Sequence, residues 1–255
     1  SQQFDGIIAN CGNIVAKSMC VIYTSAKVKE MPPKEYAEYH GLDKPLNEEK
    51  VNVVKLLRNA PKAFWTVGLV QFFSWAAFLY MWNYTNGAIA ETCWQTTDPT
   101  SAGFQDAGNW VGILFAVQAI GSVVWAMALP RFSNRKMAYA LSLVLGGIGF
   151  LMIPYISDQY VLFIPYLLIG CAWAAMLAMP FTIVTNALNG SHMGAYLGLF
   201  NGTICIPQII AAALGGVVLT LVGSAQSHMM IVAGVFLIIG AACVGIIKET
   251  IGESE

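Results

Sequence analysis

The sequence predicts an all-α fold: a polytopic membrane helical bundle of six transmembrane helices, arranged as two inverted three-helix repeats. Three observations predict it. Of the 255 residues, 57% are hydrophobic and 11% are charged, whereas a soluble surface is normally about a quarter to a third charged. Eight of the 13 Lys/Arg residues fall within Lys27–Lys62, and long apolar runs follow. Each run approaches or exceeds the ~20 residues that cross a bilayer as a helix. All are too uniformly apolar for barrel strands, which alternate over about 10 residues.

Residues 1–25 read as the remnant of a preceding transmembrane helix, because the moderately apolar stretch 6–23 carries Asn10, Asn13 and Lys17. Residues 26–62 read as a cytoplasmic linker between two halves. Met31-Pro32-Pro33 and Gly41 interrupt regular structure there. Asn47 followed by Glu48 and Glu49 predicts the start of a short amphipathic helix. Val51, Val54 and Leu57 would line one side, with Lys50, Lys55 and Arg58 reaching toward headgroups. This basic segment is read as a solvated connector rather than a specific lipid site. Residues 63–247 form the six-helix bundle, with spans at 63–86, 107–129, 137–156, 160–184, 193–222 and 228–247, and residues 248–255 form a cytoplasmic tail.

The loops set the orientation. The 26–62 segment is basic, the 87–106 loop holds only Glu91, Asp98 and Asp106, and the 130–136 loop holds Arg131, Arg135 and Lys136. The 157–159 turn has Asp158 alone, the 185–192 and 223–227 loops have no Lys, Arg, Asp or Glu, and Lys248 follows the last span. The positive-inside rule puts the linker, the 130–136 loop and the C-terminus in the cytoplasm. The expected location is an integral protein of the cell (inner) membrane.

The spans divide into two triplets. Thr85-Asn86 near the end of span one matches Thr185-Asn186 near the end of span four. Val111-Gly112-Ile113-Leu114-Phe115 in span two matches Leu197-Gly198-Leu199-Phe200 in span five. Consecutive triplets in one chain have opposite orientations, which is the inverted repeat of secondary transporters. The matched residues are common ones, and chance is a rival explanation.

Polarity separates the spans. Span three offers Ser142 and glycines, and span six nothing polar past its first residue, so both are expected to face lipid all round. In span one, Gln71, Trp75, Trp82 and Asn86 recur at spacings of 4, 7 and 4 and share one helix face. Gln118, Ser122 and Trp125 form a stripe on span two. Trp173, Thr182 and Asn186 mark span four, and Asn201, Thr203 and Gln208 mark span five. Amides in lipid are costly unless paired or facing water. Either they join helices by hydrogen bonds or they line a shared polar cavity. Their association with tryptophan favours a sugar site, since amides bond vicinal hydroxyls and an indole face stacks on the C–H face of a ring. Gln71, Trp75, Asn86, Gln118, Trp173, Asn201 and Gln208 are the candidate substrate-binding residues. Trp110, near a boundary, reads as an interface anchor. Gly194, Gly198 and Gly202 recur every fourth residue and allow close helix contact, while Pro180 and Pro207 are expected to kink their helices.

No acid, Lys, Arg or His lies deep in a span, and no Cys/His/acid cluster has metal-ligand spacing. No cofactor, catalytic residue or metal site is expected, and a net charge of -1 gives no footprint for nucleic acid. The six cysteines are scattered, and the four within apolar runs or at their edges read as small apolar packers rather than disulfides or metal ligands. Gly146-Gly147-Ile148-Gly149 lies inside a span and is not a phosphate loop. The three Asn-x-Ser/Thr patterns, at Asn83, Asn189 and Asn201, lie in or near spans or face the cytoplasm.

Three groups of motifs carry a family resemblance. They are Val70-Gln71-Phe72-Phe73-Ser74-Trp75, then Gly170-Cys171-Ala172-Trp173-Ala174 with Met179-Pro180-Phe181, and Gly194-Ala195-Tyr196-Leu197-Gly198-Leu199-Phe200-Asn201 with Ile206-Pro207-Gln208. They resemble sugar transporters of the major facilitator superfamily, nearest to sucrose/maltose-type permeases related to the glycoside–pentoside–hexuronide:cation symporters. Lys29-Glu30-Met31-Pro32-Pro33-Lys34-Glu35-Tyr36 is similar to the start of that family's central loop. The resemblance covers most of residues 18–247. It implies the C-terminal half of a twelve-helix transporter, with spans one, two, four and five lining the cavity and three and six facing lipid. One motif departs: Met127 to Lys136 lacks the Asp and both glycines of the superfamily's Gly-x-x-x-Asp-Arg-x-Gly loop.

The expected function is therefore secondary active transport of a sugar or glycoside by alternating access, coupled to a cation, the proton being the expected one. The partners are the bilayer and the N-terminal half of the same transporter. Any titrating carboxylate would have to lie outside these spans. The alternatives are a major facilitator for another neutral solute, a non-transporting membrane sensor or scaffold, and a half-size protein that dimerises. A membrane enzyme is disfavoured because the spans contain no nucleophile–base pair.

Overall fold

A computed structural model describes residues 53–188 and 193–247, with Met19, Ile22, Tyr23 and Lys27 as isolated positions before them. The expectations for residues 1–25, for most of the linker and for the 248–255 tail lie outside the described residues. The bundle falls within one compact unit, Val53–Glu255.

The described residues form helices and no strand. They are α1 (Val53–Arg58), α2 (Lys62–Cys93), α3 (Ala102–Ala128), α4 (Arg135–Met152), α5 (Phe163–Ala187), α6 (Met193–Phe200), α7 (Gly202–Leu221) and α8 (Gln226–Val244). Short 3-10 turns extend α3 through Leu129–Arg131 and α4 through Ile153–Tyr155. Six of these units are long and apolar enough to cross a membrane, with α6 and α7 together making the fifth. Local chemistry sets the starts. Pro61 precedes α2, the Ser101 hydroxyl accepts the Phe104 N–H at 3.2 Å to open α3, and Asn134 Oδ1 accepts the Met137 N–H at 3.1 Å to open α4.

Span one differs from its expected length. α2 runs to Cys93 rather than residue 86, because Gly87-Ala88-Ile89-Ala90 remains apolar and buried against the bundle. In α1, Leu56 is buried and Leu57 packs partly against the core, while Val54 is 75% exposed. Tyr196 in α6 donates its hydroxyl proton to the Leu56 carbonyl at 3.3 Å and ties α1 to the bundle.

The main packing contacts follow the two-triplet symmetry, while the α2–α3 contact has no comparable α5–α7 counterpart. α2 packs on α7 and α8 as α5 packs on α3 and α4, and the α4–α8 and α2–α5 contacts map onto themselves. Three crossings per triplet make the repeats inverted. Small residues let the backbones approach. A Cβ built on Gly121 would lie 2.7 Å from the Leu167 carbonyl oxygen, and one on Gly170 would meet the Gln118 carbonyl oxygen, so α3 and α5 touch backbone to backbone.

α4 and α8 do not face lipid all round, contrary to expectation. Each buries one side: Ser142, Leu143, Gly146 and Phe150 in α4, and Ala233, Leu237 and Ala241 in α8. Apolar residues pack as readily against helices as against lipid, so the lack of polar groups does not reveal this. α3 and the α6–α7 span are the least buried crossings, with 17% of their apolar stretch inside the bundle, against 61% for α2.

Charge marks the two ends. Among the described bundle residues, Lys55, Arg58, Lys62, Arg131, Arg135 and Lys136 lie at one end, and Glu91, Asp98, Asp106 and Asp158 at the other. Trp110 sits at the acidic end, donating its Nε1–H to the Gln159 carbonyl at 3.0 Å and stacking on Phe163 at 5.7 Å.

Candidate functional site

One face of α2 gathers the unusual chemistry. Gln71 is fully buried, and among the described residues neither its amide nitrogen nor its oxygen has a hydrogen-bond partner. Trp75, one turn on, is 8% exposed and its Nε1–H is likewise unpaired. Asn86 faces the start of α3, where a Cβ on Gly108 would lie 3.5 Å from its amide, and its Oδ1 is buried and unpaired. An unmet buried polar group costs about 1–3 kcal/mol, so two amides and an indole N–H left without a partner among the described residues on one face are unusual, and in this conformation all of these atoms are closed to solvent.

Aromatic rings fill the centre of that face. Trp173 on α5 meets Trp75 at 5.9 Å, Trp82 at 5.7 Å and Phe78 at 5.1 Å between centroids. Trp75 and Trp82 are 6.4 Å apart. Trp82 is 43% exposed and Trp173 half-buried, so two indoles remain open on a wall with no charged group among its described residues. Trp82 and Phe78 are absent from the candidate list above. Their signal is the 75, 78, 82 spacing, which returns to one side of a helix every three to four residues.

The wall is long. Gln71 and Asn86 are separated by about 22 Å along the helix axis at ~1.5 Å per residue. A single sugar ring therefore cannot meet both, and Gln71, Trp75 and Trp173 form the compact set. Asn201 is exposed at the α6–α7 junction and Gln208 is half-buried in α7. No described hydrogen bond or ring contact joins either to the α2–α5 wall.

The stripe on α3 splits. Ser122 donates to the Gly170 carbonyl at 2.9 Å, and Trp125 donates its Nε1–H to Ser142 at 2.8 Å, so both join helices within the bundle. Gln118 is 8% exposed beside the Gly121–Gly170 crossing. Pro180 and Pro207 lie inside α5 and α7. The fifth span is interrupted at Asn201-Gly202, six residues before Pro207. Among the described residues nothing lies within 4 Å of a Cβ on Gly194 or Gly198, and Ile206 of the same span is what approaches Gly202. Their small faces are thus not used for close contact within this bundle.

A family model described as Major Facilitator Superfamily matches residues 63–251. The chain is similar to the magnetosome protein MamH of Paramagnetospirillum magneticum (strain ATCC 700264 / AMB-1), at 30% identity over 145 residues. That alignment covers 56% of this chain and 33% of the relative, so the matched segment spans about a third of the relative's length. The chain belongs to the major facilitator superfamily, whose members are transporters, and its six apolar helices make it an integral membrane protein.

Proposed function

We propose that this member of the major facilitator superfamily is the C-terminal half of a secondary transporter for a sugar or glycoside, working by alternating access with cation coupling. The observation that carries the reading is the α2–α5 wall, where the unpaired Gln71 amide and Trp75 Nε1–H stand beside the open Trp82 and Trp173 rings. Paired amide bonds and indole stacking suit a neutral polyhydroxylated ring better than an ion. The exposed α3 and α7 suit packing against a second half. With no titratable acid deep in the described spans, the coupling group belongs to that other half. The segregated charge supports placing the basic end in the cytoplasm of the cell (inner) membrane. The name of the magnetosome relative carries no substrate, so the ligand assignment rests on the wall. Sugar uptake by the full-length protein in proteoliposomes is the test, with a panel of sugars and other neutral solutes as competitors. Uptake and affinity unchanged in Gln71→Ala and Asn201→Ala would remove the site assignment. Specific binding without uptake would favour a sensor.

A further inference from the structure

We propose that the basic end of the bundle carries a site for one acidic phospholipid, in the cleft between the end of α3 and the second half of α5. A cavity of about 460 Å³ lies there. Leu129, Phe132 and Met179 form apolar walls, and Ser133, Arg135 and Thr182 supply polar groups at its margin.

The cations at this end are not equivalent. Lys136 donates to the Ile247 carbonyl at 2.9 Å, which commits its ammonium to the chain just past α8. Arg131 donates from Nη1 to the Met127 carbonyl at 2.8 Å and closes the α3 terminus. Arg135 makes no hydrogen bond or ion pair among the described residues, and it is one of the residues lining the cavity. No acid is near it in sequence: between Asp106 and Glu249 the single acidic residue is Asp158, at the opposite end of the bundle.

A guanidinium with no ion pair among the described residues, beside an apolar cleft, fits a phosphate head joined to hydrocarbon. The planar fork bonds phosphate oxygens in pairs, and Ser133 adds a hydroxyl-bearing residue to the same lining. Apolar side chains continue from the cleft along α3, where Val123, Val124 and Met127 are 61%, 57% and 61% exposed; this end of α3 is thereby assigned to lipid, and the rest of α3 and α7 is left to the second half. Basic pockets between membrane helices select acidic headgroups for these reasons. A zwitterionic lipid meets the same walls, but its own ammonium offsets the attraction. The cavity's α5 residues, Ala178, Met179 and Thr182, follow Trp173 toward the basic end of the helix, and the site does not depend on what solute is carried.

The experiment is native mass spectrometry of the purified full-length protein after exchange into phosphatidylglycerol or phosphatidylcholine. The wild type is expected to retain one tightly held phosphatidylglycerol in preference to phosphatidylcholine. Arg135→Gln should reduce that preference about fivefold, the factor associated with one basic group near an anionic surface. Arg135→Lys should keep most of it. Ala178→Trp, which fills the cavity, should lower retention of both lipids. Equal retention of the two lipids by the wild type, or an unchanged preference in Arg135→Gln, would overturn the proposal. So would an efficient cysteine cross-link from position 178 to another helix of the full-length protein, because the cleft would then be a protein–protein contact.

Discussion

The Glu91 carboxylate caps α8 from across the bundle: Oε1 accepts the Gln226 N–H and Oε2 the Ser227 N–H, both at 2.9 Å. The residue at the local cap position is Ala225, which has no side-chain acceptor, so α2 supplies what α8 lacks. An anion here also meets the positive end of the helix dipole. Glu91→Ala is expected to lower stability by about 1–2 kcal/mol, read as a lower unfolding midpoint in detergent. Glu91→Gln keeps one acceptor oxygen and should lose less.

The glycines divide into two classes that a stability assay separates. A Cβ at Gly170 would press on the Gln118 carbonyl and lie 2.8 Å from the Ser122 nitrogen, both backbone atoms of α3. Gly170→Ala should therefore cost about 1–3 kcal/mol. Gly198 has open space, so Gly198→Ala should leave the bundle as stable as before or raise it by up to ~1 kcal/mol through helix propensity. If the second half of the transporter packs on this face, Gly198→Ala should depress uptake without lowering the unfolding midpoint.

Much of this was legible in the sequence because lipid imposes a simple length and polarity code. The six crossings, the alternation of charged ends and the shared face of Gln71, Trp75 and Trp82 all follow from spacing alone. The partners of Ser122 and Trp125 were not legible, since a hydroxyl and an indole look the same whether they face a cavity or the next helix. Glu91 was read as a loop acid because its partners are backbone groups 135 and 136 residues away. The buried sides of α4 and α8 were missed because apolar residues pack against helices and lipid alike.

The acidic end should also show a local pH response. Asp98 lies in the loop between α2 and α3, where the Thr100 backbone N–H at 2.9 Å and the Thr100 hydroxyl at 2.7 Å both donate to Oδ1. These bonds hold its carboxyl below the ordinary value of 3.8. A lowered folded-state value means the turn is fully supported above the unfolded value and loses that support as pH falls through the folded one. A carboxylate titration followed by NMR should give a midpoint below 3.8 for Asp98, and Thr100→Val should move it up. A midpoint unmoved by Thr100→Val would show that the hydroxyl contributes nothing to the turn.

The indole wall makes the sharpest demand on the proposed transport function. Trp173 contacts Phe78 at 5.1 Å and Trp82 at 5.7 Å yet stays partly open, so it has both a packing role and a free face. Loss of ring stacking costs about 0.5–1.5 kcal/mol, which corresponds to a roughly threefold to tenfold rise in KM for Trp173→Ala. Trp173→Phe keeps a flat ring and should recover part of that loss. Trp82→Ala should act in the same direction, because its ring is the more exposed of the two. Trp110→Phe, on the Gln159 and Phe163 contacts at the acidic end, should leave KM unchanged. A rise in KM confined to Trp82 and Trp173 separates a ligand-binding wall from a packing cluster, because damaged packing alone would lower the amount of active protein and leave the affinity of the remainder intact.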